Sequence, residues 1–148
     1  MKVRVATESD VEALFDIRTS VHENRQSREE LAAIGVTPAS VGQMLRTTSR
    51  AWLAEVDGQP VAFSMADAQR GTVFAMFVRP GYEGLGLGRA LMQEAEGWLY
   101  AQGHDAIWLL TGSEQGLRAN GFYHHLGWGV GGVEPDGQLR FIKRKSQR

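Results

Sequence analysis

Phe77-Val78-Arg79-Pro80-Gly81-Tyr82-Glu83-Gly84-Leu85-Gly86-Leu87-Gly88-Arg89-Ala90-Leu91-Met92 is the stretch on which the reading of this chain turns. An apolar β-type run, Thr72 to Val78, stops at a proline. Glycine then falls at every second position, Gly84, Gly86 and Gly88, and a helical pattern begins at once. A strand that feeds a side-chain-free loop at a helix start presents several free backbone N–H groups, backed by the positive end of the helix dipole. Such an arrangement binds phosphate-type anions without a basic side chain. Glycine serves it because a β-carbon would hold the anion away from the amides. The plainer reading of the same residues is a turn that lets strand and helix pack closely.

Two common phosphate loops do not fit. The dinucleotide fingerprint starting at Gly84 and Gly86 needs glycine at position 89, where Arg89 stands, and starting at Gly86 it needs glycine where Leu91 stands. Asp105 lies about where that fingerprint's ribose acid falls, yet it precedes the next strand instead of ending it. The P-loop needs Gly-Lys-Ser/Thr, and Gly86-Leu87-Gly88 has neither lysine nor hydroxyl.

The spacing resembles the acyl-coenzyme A loop of the GNAT superfamily of N-acetyltransferases, Gln/Arg-x-x-Gly-x-Gly/Ala. It is met here by Glu83-Gly84-Leu85-Gly86-Leu87-Gly88. Glu83 stands where that family carries arginine or glutamine, which leaves pyrophosphate binding to backbone amides, with Arg89 as an added contact and Ala90 following it. The flanks, Val78-Arg79-Pro80 and Gly88-Arg89-Ala90-Leu91, match the resemblance as well.

Composition suits one compact, enzyme-sized domain. At 148 residues the chain is one domain's worth, 1–148, and a chain of that length buries ~70% of its unfolded surface. With 16 Lys+Arg against 17 Asp+Glu, charge gives no reason to expect nucleic acid or membrane as a partner. The absence of cysteine removes disulfides, thiolate metal sites and a cysteine nucleophile. Met1-Lys2-Val3-Arg4-Val5-Ala6-Thr7-Glu8 turns acidic too soon for a signal peptide, and no apolar run is long enough to span a bilayer, so a cytoplasmic location is expected.

Periodicity orders the elements. Val3 to Ala6 alternates as a first strand, and Thr7 with Asp10 makes a capping box ahead of a helix with Val11, Leu14, Phe15 and Arg18 on one face. Ser27-Arg28-Glu29-Glu30 is a second capping box, opening a helix through Leu31 and Ile34 that Gly35 ends. Thr37-Pro38 opens a third helix, with Val41, Met44 and Leu45 inward. Ala51 to Val56, the turn Asp57-Gly58 and Pro60 to Ala68 read as a β-hairpin, and Arg70-Gly71 precedes the strand Thr72 to Val78. The helix after the glycines turns Leu91, Met92, Ala95, Trp98 and Leu99 inward and ends at Gly103. Ala106 to Thr111 is a short apolar, interior strand. Gln115 to His125 is a helix, best begun near Leu117, and extended chain resumes at Gly127-Trp128. Pro135-Asp136-Gly137 turns into a last strand, Gln138 to Ile142. The order is similar to the GNAT order, which implies a mixed α/β (α+β) fold: a central, mostly antiparallel, splayed sheet of about seven strands flanked by helices.

A second segment carries the resemblance. Gly116-Leu117-Arg118-Ala119-Asn120-Gly121-Phe122-Tyr123-His124-His125-Leu126-Gly127-Trp128 is similar to the family's Asn-x-x-Ala-x-x-Phe-Tyr-x-x-x-Gly-Phe/Trp, with Ala119, Phe122, Tyr123, Gly127 and Trp128 in register and Gly116 in place of the asparagine. When an amine attacks a thioester, the departing thiolate needs a proton. A phenol with pKa near 10 stays protonated at neutral pH and can supply it. The resemblance gives that role to Tyr123; by itself the residue also reads as a core-packed helix tyrosine. It also implies a bulge near Phe77 and Val78 that frees an amide toward the acyl group, an oxyanion donor worth ~3 kcal/mol of barrier. From the residues alone, Thr72 to Val78 is a buried strand.

The resemblance therefore implies acetyl-coenzyme A as cosubstrate. Its expected contacts are Phe77, Val78, Glu83, Gly84, Leu85, Gly86, Leu87, Gly88, Arg89, Ala90, Ala119, Phe122 and Tyr123. A small-molecule or peptide amine is the expected acceptor, with Tyr123 and Glu23 as catalytic residues and a homodimer as a plausible assembly. The base is open: Thr72 to Phe77 has no ionisable side chain, Glu23 lies where the family builds its acceptor pocket, and Asp67, His22 and water are the other choices. A second class, a non-catalytic coenzyme A sensor or interaction module, differs by binding without thiol release. A metal site is not expected, because His124 and His125 are adjacent on a helix and point apart. Ser64 and Ser113 sit in no Gly-x-Ser-x-Gly elbow. Lys143-Arg144-Lys145-Ser146-Gln147-Arg148 reads as a solvated tail, and Trp52, Trp98, Trp108 and Trp128 as core or interface.

Overall fold

A computed structural model describes residues 1–22, 25–111 and 116–146, and within 116–120 it describes the backbone. One seven-stranded sheet carries the architecture, in the order β1-β2-β3-β4-β5-β7-β6. Its strands are β1 (Lys2–Val5), β2 (Ser49–Val56), β3 (Gln59–Asp67), β4 (Thr72–Val78), β5 (Ala106–Thr111), β6 (Gly129–Val133) and β7 (Leu139–Arg144). All pairings are antiparallel except β4 with β5. The helices are α1 (Val11–Arg18), α2 (Arg28–Ala33), α3 (Pro38–Arg46), α4 (Leu87–Ala101) and α5 (Gly116–His125). No helix among the described residues is long and apolar enough to cross a membrane.

The side-chain period of two divides the middle strands between two cores. On β2, Ala51 and Leu53 join the core under α1–α3, while Trp52 and Ala54 join the core under α4 and α5. Capping chemistry sets the helix starts. The hydroxyls of Ser27 and Thr37 accept from the backbone N–H groups of Glu30 and Ser40, each at 3.1 Å. Thr7 and Asp10 frame a 3-10 turn, Glu8–Asp10, ahead of α1.

Element ends move by a residue or two from the sequence reading, two inward assignments change, and so does the reading of the basic end. Trp98 is half-buried, its indole edge-on to Trp52 at 5.7 Å between centroids. Ile34 caps α2 and is 66% exposed. The basic segment at 143–148 is not a solvated tail at its start, because β7 runs to Arg144 and the Lys143 ammonium meets the buried Glu96 carboxylate at 2.6 Å. Gln147 and Arg148 lie outside the described residues.

Strand β4 decides where the sheet opens. Met65 sits opposite Ala75 but Ala66 sits opposite Val73, so Phe74 is an extra residue. Side-chain parity flips across it: Val73 joins the α4 core, as do Met76 and Val78, while Ala75 and Phe77 join the α1–α3 core. The expected bulge is thus present, but at Phe74 and not at Phe77–Val78, because the ladder stays regular from Ala75 to Val78. Beyond the pair Thr72 and Trp108, β4 and β5 part company.

Candidate active site

The β4–α4 junction is built by glycine conformation. Gly81, Gly84 and Gly86 have φ of 91°, 77° and 79°, values that cost an L side chain roughly 1–2 kcal/mol. A β-carbon at Gly84 or Gly86 would meet no atom, so backbone angle is what selects glycine there. Gly88 differs: its added β-carbon would lie 3.2 Å from the Phe122 ring and 3.3 Å from Met76 Cε. Gly88 therefore serves close packing, the plainer reading of that glycine, while Gly84 and Gly86 shape the loop.

Helix α4 starts at Leu87, and its first recorded backbone bond runs from the Ala90 N–H to the Gly86 carbonyl at 3.1 Å. The Leu87, Gly88 and Arg89 amides are left without intrahelical acceptors at the positive end of a 15-residue helix. Buried Leu87 pins the loop to the core, while Leu85 and Arg89 are exposed. The Glu83 carboxylate turns back and accepts from the Gly81 N–H at 2.9 Å.

A slot of about 310 Å³ opens where β4 and β5 separate. Thr72, Met76, Phe77, Trp108, Leu109 and Tyr123 are among its walls. The Arg79 N–H donates to the Val61 carbonyl at 2.8 Å, and Phe77 sits opposite Phe63. Strand alternation therefore turns the Phe77 amide toward β3 and the Val78 and Met76 amides toward the slot. Of the two expected oxyanion donors Val78 faces the opening, and Phe77 contributes its ring.

Tyr123 enters the slot from α5. Its ring packs on Phe122, Phe141 and Trp128 at 5.1, 5.5 and 6.4 Å between centroids. The Trp128 N–H returns to the Tyr123 carbonyl at 3.0 Å. Burial pushes the phenol pKa up to about 12, so the group is a proton donor throughout the neutral range. Gly88 touches Phe122, and Phe122 touches Tyr123, so the helix start and the phenol are neighbours in one continuous wall.

A second cavity, of about 290 Å³, lies on the other face between α1–α3 and the middle strands. Phe74, Ala75 and Phe77 belong to the walls of both cavities, so the two meet across the bulge. Arg18 reaches this wall with its guanidinium 4.4 Å from the Phe77 ring centre and donates to Gln26 Oε1 at 2.9 Å.

The proposed bases fall differently. Glu23 lies outside the described residues. His22 is exposed and lines neither cavity, and Asp67 accepts from the Gln69 and Arg70 amides at 2.9 and 3.4 Å to close the β3–β4 turn. Ala119 lies within α5. Sequence reasoning missed Phe74, Ala75, Trp108 and Gln138 as wall residues, for a bulge leaves no mark in an apolar run.

Residues 11–128 match the family described as Acetyltransferase (GNAT) family. Over 82 residues, 52% of this chain, the sequence is 35% identical to the mycothiol acetyltransferase of Beutenbergia cavernae. The match spans 27% of that relative, about a quarter of its length. Among solved structures, the PaiA N-acetyltransferase of Thermoplasma acidophilum in complex with coenzyme A superposes with a TM-score of 0.81 at 16% identity, covering 98% of this chain and 100% of the other. The ribosomal-protein-S18-alanine N-acetyltransferase of Escherichia coli gives 0.76 at 17%, covering 99% and 95%. YncA of Salmonella typhimurium, a putative acetyltransferase with its cofactor acetyl-CoA, gives 0.75 at 18%, covering 100% and 95%. At these identities the structural likeness speaks for the fold.

Proposed function

Because this chain belongs to the acetyltransferase (GNAT) family and is an acyltransferase, we propose that it transfers the acetyl group of acetyl-coenzyme A to a primary amine by direct attack. In this reading residues 1–148 act as one acetyltransferase domain. The observation that carries it is the unbroken run from free α4 amides, past the Gly88–Phe122 contact, to a protonated phenol in a slot between parted strands.

The residues present suit the cosubstrate. Positive-φ glycines leave open space over the loop, and the amides of Leu87, Gly88 and Arg89 are placed to receive a diphosphate. Apolar walls from Met76, Phe77 and Leu109 suit a pantetheine arm. When bound, acetyl-coenzyme A supplies the thioester whose C–S bond breaks as the amine nitrogen bonds to the carbonyl carbon. The Val78 or Met76 amide holds the developing oxyanion, and the Tyr123 hydroxyl gives its proton to the departing sulfur. The amine's proton leaves to Glu23, the base that the family resemblance implies, or to water. With no cysteine, an acyl-cysteine enzyme has no candidate.

Calorimetry with acetyl-coenzyme A, followed by thiol release against a panel of amines, tests the reading. Tyr123→Phe is expected to lower kcat by about 100-fold or more while leaving coenzyme A affinity within about threefold. Absence of binding, or full activity in the phenylalanine variant, would overturn respectively the cosubstrate and the acid assignment.

A further inference from the structure

The cavity on the α1–α3 face meets the slot at the bulge, so whatever fills it presents its reactive end beside β4. Its described walls are aliphatic and aromatic except for Arg18 and Gln26. Leu14, Leu31, Val41, Met44, Phe63 and Met65, from three helices and one strand, are among its apolar walls. The Arg18 guanidinium carbon sits 4.4 Å from the Phe77 ring centre, a cation–π contact within the wall.

Polyamines and sugar amines need carboxylates or paired hydrogen-bond groups, because a buried ammonium or hydroxyl without a partner is costly. Among the described walls the only polar side chains are Arg18 and Gln26, which pair with each other, and the remainder of that described surface suits an apolar body. The acidic groups nearest along α1 are engaged outside, where Arg28 pairs with Glu12 and Asp16 at 2.7 and 3.2 Å. Size sets the other bound. A cavity of roughly 150 Å³ holds one benzene ring, so about 290 Å³ accommodates a ring with a short amine-bearing chain, or a branched body of similar bulk. Ala75 is the smallest shared wall residue. It is the least bulky point at which the two cavities share a wall.

We propose that this cavity takes the acceptor and that the acceptor is a compact hydrophobic monoamine, with its apolar body against α1–α3 and its nitrogen over Ala75. The proposal rests on the acetyl-transfer reading and names the substrate class for it. The nitrogen bonds to the acetyl carbon, the C–S bond breaks, sulfur takes the Tyr123 proton, Glu23 or water receives the amine proton, and a proton from solvent restores the phenol.

The test compares 2-phenylethylamine, leucine amide, spermidine and glucosamine as acceptors at saturating acetyl-coenzyme A. The two hydrophobic amines are expected to exceed the others by about 50-fold or more in kcat/KM. Met44→Trp fills the cavity from α3 and is expected to raise KM for 2-phenylethylamine about tenfold, with coenzyme A affinity unchanged by calorimetry. Ile34→Glu, at an exposed rim position where folding is not at stake, is expected to cut the preference for 2-phenylethylamine over spermidine by about tenfold. Equal use of spermidine or glucosamine, or indifference of KM to both substitutions, overturns the proposal. Loss of coenzyme A binding in the unmodified protein would overturn the acetyl-transfer reading instead, so the two failures are told apart.

Discussion

At the scale of single residues, the loop shows how one glycine pattern hides two causes. Gly86→Ala meets open space but a left-handed angle, and is expected to cost about 1–2 kcal/mol in urea denaturation. Gly88→Ala gains up to about 1 kcal/mol of helix propensity, offset by crowding of Phe122. Its stability should therefore stay near the parent's, while kcat falls because Phe122 abuts Tyr123. If both variants lose stability alike, the division between angle and packing is wrong. Glu83 is the other informative residue. Its carboxylate on the Gly81 amide places negative charge beside the proposed diphosphate. Glu83→Gln keeps an acceptor for that amide and removes the charge, and should tighten coenzyme A binding by about three- to tenfold at low salt, less at high salt. The departure at 83 was readable from the sequence. That its carboxylate closes the loop on itself was not, because such a contact depends on the backbone path.

Elements were legible where local chemistry is strong. Capping boxes at Thr7 and Ser27, the Thr37-Pro38 helix start and the Asp57-Gly58 turn mark starts and reversals that the structure keeps. The bulge was not locatable, because Phe74 in an apolar run differs in no local property from Phe77; only the register against β3 distinguishes them. The first capping box also has a long-range partner that its spacing conceals. Asp10 accepts from the Thr7 amide at 2.7 Å and meets the Arg4 guanidinium of β1 at 2.8 Å. The hydrogen bonds from Arg4, opposed in part by burial, hold its pKa down at about 2, from 3.8 in the unfolded chain. A folded pKa below the unfolded one means that stabilisation is present above pH 3.8 and is lost as pH falls through about 2. Asp10→Asn should thus cost about 1–2 kcal/mol near neutrality, and the gap to the parent should close between those two pH values. Denaturant titrations from pH 2 upward would show it, and a pH-independent gap would rule out the charge as its origin.

Across the whole molecule the mostly antiparallel sheet of about seven strands followed from the family resemblance, and the position of the basic end of β7 did not. Lys143 looked like the start of a solvated basic segment. Its ammonium instead bridges Glu96 Oε1 and the Leu126 carbonyl at 2.6 and 2.7 Å, and the other Glu96 oxygen accepts from the Trp128 indole at 3.1 Å. Glu96 is 6% exposed, so it is a buried charge with two donors from β7 and from the segment that follows α5. A pairing across 47 positions has no local signature. This cluster clamps α4 to the end of α5, and through the Trp128 amide it fixes the carbonyl of Tyr123. Glu96→Leu strands both donors in a largely dry site and is expected to destabilise by about 3–5 kcal/mol. Adding Lys143→Met removes the ammonium that Glu96→Leu strands, so the double variant should recover most of that loss, since a matched apolar pair often replaces a buried ion pair without penalty. The pair of measurements separates charge from packing: if Glu96→Leu with Lys143→Met is no more stable than Glu96→Leu alone, the cost lies in the Trp128 contact and in shape. In that event Trp128→Phe alone should reproduce most of the effect and displace Tyr123, read as a fall in kcat at unchanged coenzyme A affinity.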